Sequence, residues 1–158
     1  MLHIKNWKKE FAQILKLPII IIEDELIKDI EYVNENNEDD RNSLIGPAYI
    51  NYYEDGNICC KEYYENNKLH RLGEPAVIGY YENGNVWCKE YYENGKIHRL
   101  GEPARIHYYE NGNIECEEYL INDELHRLDG PAHIEYHEND SINSEKYYEN
   151  GKLILKNN

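Results

Sequence analysis

A His-Arg pair recurs three times at one fixed interval in this chain, as His70-Arg71, His98-Arg99 and His126-Arg127. Each pair follows a glutamate (Glu62, Glu90, Glu118) and a cysteine (Cys60, Cys88, Cys116). Histidine, glutamate and cysteine in close succession are the side chains of metal ligation and of Cys-His nucleophilic chemistry. Their recurrence argues against both, because catalysis needs one asymmetric constellation in a concave site rather than three equivalent ones. Neither Cys-x-x-Cys nor a paired-His spacing is present. Where a fourth set is due, Lys146, Ile154 and Leu155 stand in place of Glu, His and Arg. That joint replacement predicts that each Glu and Arg are mutual partners in a structural pair, with the His available as a third member. The expectation is a protein that is not an enzyme, with no catalytic residues, no cofactor and no metal.

The element that places these residues is a 28-residue unit written almost four times: Ile45 to Leu72, Gly73 to Leu100, Gly101 to Leu128 and Asp129 to Lys156. Such a period means one supersecondary unit per copy, stacked so that neighbours share a core that no copy could bury alone. In the second copy, Ala76 to Tyr81 reads as a strand and Val86 to Tyr92 as its return. Glu82-Asn83-Gly84-Asn85 lies between them, a hairpin signal in which both central residues are expected at positive φ. Glu93-Asn94-Gly95-Lys96 turns the chain again into a short strand, Ile97 to Leu100. Pro103 withholds a ladder donor and marks a corner or an edge. The fold class expected is mainly β, a repetitive antiparallel hairpin meander in a single sheet.

The phrases His98-Arg99-Leu100-Gly101-Glu102-Pro103-Ala104, Tyr-Tyr-Glu-Asn-Gly and Glu-Tyr-Tyr-Glu-Asn-Gly-Lys-x-His resemble the MORN-repeat variant of bacterial and viral proteins, including those similar to the YwqK-like antitoxins. The resemblance covers about Leu44 to Lys156. It implies an all-β sheet of consecutive hairpins used as a binding scaffold, with antitoxin or immunity roles proposed for some members.

Comparing copies separates what the geometry demands from what varies. Ala48, Ala76, Ala104 and Ala132 recur with Ile50, Ile78, Ile106 and Ile134 and with Tyr52, Tyr80, Tyr108 and Tyr136. Spaced two apart, they share one face, which must be the packed one. The opposite face varies, with one column reading Tyr49, Val77, Arg105, His133 and the next Asn51, Gly79, His107, Glu135. Tyr53, Tyr81 and Tyr109 point the same way, beside Cys59, Trp87, Glu115 and Asn143 on the returning strand. Trp, Tyr and Arg often dominate interface energies, so Tyr49, Tyr53, Tyr81, Trp87, Arg105, His107 and Tyr109 form a candidate partner-binding patch. The other reading is that the tyrosines merely cover the sheet. Glu54, Glu82 and Glu110, with Glu138, start the hairpin turns, and Glu65, Glu93 and Glu149 start the others. They would line the two margins with carboxylates.

The chain's 158 residues carry 31 acidic against 17 basic side chains, a net charge of −14. Repulsion opposes direct binding to nucleic acid or an anionic membrane and favours a basic protein partner. The four cysteines are not a disulfide framework, since Cys60, Cys88 and Cys116 hold one repeat position and lie too far apart. Reduced thiols and a cytoplasmic setting follow, and no segment is long enough to span a bilayer. Residues 1–33 lie outside the repeat. Trp7, Phe11, Ile14 and Leu15 share a helical face, Ile19 to Ile22 suits an edge strand, and Leu26, Ile27, Ile30 and Val33 form a second amphipathic stretch. This segment is expected to be an N-terminal helical cap, joined by an acidic, mobile linker (34–43) to the repeat domain (44–158).

The function expected is a non-enzymatic inhibitor, antitoxin-like or immunity-like, that occludes a basic toxin, nuclease or ribonucleoprotein. Three alternatives stay open: an anti-CRISPR-type anti-defence protein that imitates nucleic acid, a small-molecule-binding scaffold, and a structural repeat array.

Overall fold

Strands follow the repeat copy by copy in the computed structural model, which describes residues 19–21, 29–33 and 46–155. Ahead of the copies lie β1 (Ile19–Ile21) and β2 (Asp29–Val33). The first copy contributes β3 (Tyr49–Tyr52), β4 (Ile58–Glu62), β5 (Tyr64–Glu65) and β6 (Lys68–Leu69). The second adds β7 (Val77–Tyr80), β8 (Val86–Glu90), β9 (Tyr92–Glu93) and β10 (Lys96–Ile97). The third supplies β11 (Arg105–Tyr108), β12 (Ile114–Glu118), β13 (Leu120–Ile121) and β14 (Glu124–Leu125). The fourth ends in β15 (His133–Tyr136), a long β16 (Ile142–Glu149) and β17 (Lys152–Ile154).

The long hairpins, the first two strands and the final β17 join into one 11-stranded antiparallel sheet, in the order β1-β2-β3-β4-β7-β8-β11-β12-β15-β16-β17. This is the meander that the alternating pattern predicts. The edge strand expected over Ile19 to Ile22 is present as β1. The helical reading of the stretch after it is corrected for residues 29–33, which pair with β3 through Ile30↔Ile50. Asp-Ile-Glu-Tyr-Val alternates polar and apolar residues with period two, and pairing to a waiting sheet edge satisfies that pattern. The Trp7 to Leu15 helix and the 34–43 linker fall outside the described residues.

The two turns of each copy differ. In the short hairpin, Asn94 and Gly95 both take positive φ, 52° and 83°, a primed turn matched to strand twist. In the long hairpin only Gly84 does so, at 85°, which corrects the expected pair. Gly84 N–H donates to the Tyr81 carbonyl at 2.9 Å and Tyr81 N–H to the Asn85 carbonyl at 2.8 Å. The extra loop residue shifts register from Gly79↔Cys88 to Tyr80↔Val86, leaving Trp87 as the bulged residue.

One copy is locked to the next by a repeated set of bonds. Tyr53, Tyr81 and Tyr109 donate their hydroxyls to the carbonyls of Tyr80, Tyr108 and Tyr136 at 2.6, 2.8 and 2.8 Å. Asn57, Asn85 and Asn113 donate to the next turn's Glu82, Glu110 and Glu138 carbonyls. The short hairpins climb as a second ladder, Arg71 N–H donating to the Tyr92 carbonyl and Gly95 N–H to that of Leu69. The four repeat alanines are fully buried, and Ile97 and Leu120 of the short hairpins pack on Ala104. Ile106 and Ile134 are buried on the same face, whereas Ile50, Ile78 and its tyrosines are half-buried and Cys88 is buried on the opposite one.

Candidate protein-binding face

Cross-strand pairing assigns the second face. Tyr49 lies opposite Glu62, Val77 opposite Glu90, Arg105 opposite both Glu90 and Glu118, and His133 opposite Glu118 and Lys146. Two residues along, Asn51, Cys60, Gly79, Cys88, His107, Cys116, Glu135 and Ser144 form a continuous cross-strand row. Cys60, Cys88 and Cys116 are thus each separated from the next by an intervening strand, and none of the four cysteines forms a disulfide. Burial pushes the thiols of Cys88 and Cys116 up to about 12.

Trp87 owes its place to the bulge and to a missing side chain. A Cβ on Gly79 would fall 2.3 Å from Trp87 Nε1 and 2.4 Å from Cε2, so the indole lies directly over the glycine. Its ring centroid sits 5.8 Å from that of His107, tilted by 57°. Trp87 is still 38% exposed. Of the aromatic candidates it is the one that presents a large open surface.

The other candidates divide. Tyr49 and His107 are half-buried in the sheet. Tyr53, Tyr81 and Tyr109, also half-buried, are the hydroxyl donors that tie copy to copy. Their pKa values are raised, first by desolvation and then by neighbouring groups: the Cys59 side chain at Tyr53, and Glu115 at Tyr81 and Tyr109. Arg105 is clamped, its Nε 2.8 Å from Glu90 Oε1 and its Nη1 2.6 Å from Glu118 Oε2. Burial opposes the charge, yet the two carboxylates together raise its pKa. Glu54, Glu82 and Glu110 are exposed at the long-hairpin tips with Glu138, and Glu65, Glu93 and Glu149 at the short ones. The acidic margins are therefore present on both sides.

The His-Arg phrases are structural, but not through the partners expected. Arg71, Arg99 and Arg127 stack over Tyr63, Tyr91 and Tyr119 at 3.9, 3.8 and 3.9 Å. Each Nη1 donates to a proline carbonyl four residues on, at 3.3 Å. The glutamates turn elsewhere: Glu62 to Tyr64, Glu90 to Tyr92 and Arg105, Glu118 to Arg105 and His133. His70 and His126 accept N–H donations from Asn94 and Asn150 of the following hairpin at 3.0 and 3.1 Å. Ile154 and Leu155, which take the places of His and Arg in the fourth copy, are 43% and 81% exposed.

Two features escaped sequence reasoning. Leu72, Leu100 and Leu128, one repeat position, are 74%, 71% and 77% exposed, an apolar row whose signal was its place in the constant phrase. Cys116, Glu118 and His133 converge within 4.8 Å, and only the change from Val77 to Arg105 to His133 in one column hinted at it.

Fold and face together define a class, an open sheet of repeated hairpins that offers surfaces and margins for binding. Residues 88–102, 104–122 and 143–158 match the MORN repeat variant, which supports a MORN-repeat protein. MORN repeats are often involved in binding proteins or membrane lipids. No curated protein and no solved structure matches the chain.

Proposed function

We propose that the chain is a non-enzymatic, cytoplasmic inhibitor that occludes a basic protein, in the manner of an antitoxin or immunity protein. The observation that carries this reading is the pairing of an exposed Trp87 with two margins of exposed carboxylates on a chain of net charge −14. The same charge speaks against an anionic membrane as the ligand. Acidic margins speed encounter with a basic partner, and the indole supplies an anchored apolar contact. The regular line of turn carboxylates favours a second form of the reading, in which they take the place of nucleic-acid phosphates in an effector's basic channel.

The test is affinity capture from source-cell lysate at low salt and near 0.5 M, where the screening length shrinks to about 4 Å. Recovery of one basic protein, reduced by salt, by Trp87→Ala and by Glu54→Gln/Glu82→Gln/Glu110→Gln, supports inhibition. If that protein is an effector, competition by its own nucleic acid distinguishes mimicry. Capture indifferent to all three perturbations refutes the reading.

A further inference from the structure

At a fixed place between successive copies the repeat writes three different side chains. Val77 stands at the first junction, Arg105 at the second and His133 at the third, each facing the glutamate of the preceding strand. At the second junction the guanidinium itself fills the space between Glu90 and Glu118. At the third, His133 Nδ1 lies 3.1 Å from Glu118 Oε1 and 3.9 Å from Cys116 Sγ. The three donor atoms all fall within 4.8 Å of one another.

The surroundings are arranged as outer ligands would be. His133 Nε2 is 3.0 Å from Glu135 Oε1, with Lys146 Nζ 3.6 Å from the same oxygen. In the tautomer that carries its proton on Nε2, facing Glu135, Nδ1 offers its lone pair to a metal. Arg105 holds Glu118 by Oε2, so Oε1 is turned to the imidazole. Nδ1 and Oε1, 3.1 Å apart, are close enough to share one cation between them.

We infer that Cys116, Glu118 and His133 form a binding site for a zinc-class divalent cation, an asymmetric site in an otherwise repetitive sheet. Tetrahedral bonds of about 2.1 Å to nitrogen, 2.0 Å to oxygen and 2.3 Å to sulfur set edges of about 3.3 Å for N···O and 3.6 Å for S···N. The observed 3.1 and 3.9 Å differ from these by only about 0.3 Å. Thiolate and carboxylate neutralise the dication, and the fourth position is left to water or to a partner's side chain. Binding replaces the thiol proton, so affinity rises with pH and protons are released as metal enters. The equivalent second junction cannot do this, because its third position is an arginine.

The site is tested by titrating the full reduced chain with cobalt(II) and zinc(II). One metal per chain is expected, with thiolate-to-cobalt charge-transfer absorption. Cys116→Ser should abolish that absorption and Cys88→Ser or Cys60→Ser should retain it. His133→Arg, which installs the residue of the preceding junction and keeps an ion pair with Glu118, should remove binding in a chain whose circular dichroism is unchanged. Glu135→Gln should weaken affinity about 10- to 100-fold without removing the absorption. Absence of the sulfur band in the wild-type chain, or uptake equal in His133→Arg, overturns the inference and leaves a shared proton between His133 and Glu118.

Discussion

Replacing Gly79 by alanine should expel the Trp87 ring. The added methyl would stand 2.3, 2.4 and 2.9 Å from Nε1, Cε2 and Cζ2, whereas nonbonded carbons rest at about 3.5–4.0 Å. The ring must retreat by more than an ångström or the strand must give. A tryptophan offers up to about 250 Å² for burial. At 38% exposure the indole covers about 150 Å², which contributes about 4 kcal/mol at about 25 cal/mol/Å². Uncovering half of it costs about 2 kcal/mol by the same coefficient, in the range of about 1–3 kcal/mol for overpacking. Alanine recovers about 0.5–1 kcal/mol of the backbone cost of glycine, so the net loss is about 1–2 kcal/mol. Urea unfolding followed by tryptophan emission reads both consequences, with Trp7→Phe as background so that Trp87 reports alone. A lower midpoint and a red-shifted native emission are expected. In a Trp87→Ala background the same substitution should be neutral or slightly stabilising. An unchanged midpoint and unchanged emission in Gly79→Ala, or an equal loss without the indole, would refute the account of how the bulge seats this ring.

Tyr81→Phe should cost about 1 kcal/mol in denaturant unfolding, the worth of one hydrogen bond, since its hydroxyl meets the Tyr108 carbonyl at 2.8 Å. Arg105→Met leaves Glu90 and Glu118 facing each other, both less than a fifth exposed, and should destabilise by about 2 kcal/mol, less than the cost of breaking a fully buried pair. Adding Glu90→Gln and Glu118→Gln should recover most of that loss in the same assay. Cys88 and Cys116, with thiols pushed up to about 12, stay neutral in the fold while the unfolded chain ionises near 8.5. Their stability is therefore whole below the ordinary thiol range and lost as pH rises toward 12; thermal melts from pH 8 to 11 should fall less steeply in Cys88→Ala. Ion pairing at Arg127, 2.9 Å from Asp129 at the surface, should contribute under about 1 kcal/mol, so Asp129→Asn should leave the urea midpoint nearly unmoved.

By itself the sequence determined the period, the alternation of long and short hairpins, the packed Ala-Ile-Tyr face and the acidic margins. These follow from local chemistry repeated in register: a positive-φ turn every few residues, apolar side chains two apart, and glutamates at loop tips. Even so, it misjudged the turn around Gly84, because one extra loop residue changes two required positive φ angles to one. Residues 29–33 were also misjudged, where a waiting sheet edge overrode a helical spacing. Only the tertiary structure decided the partners. Glu90 lies nine residues from Arg99 but bonds Arg105 of the next copy; Trp87 rests on Gly79 across a strand; and Cys116 and Glu118 meet His133 of the following copy. Each of these contacts crosses between strands, so its geometry depends on register, and a one-residue bulge or shift would send the same side chains to other neighbours. Periodicity states what every copy shares, and the pairing of unlike copies creates the site that they do not.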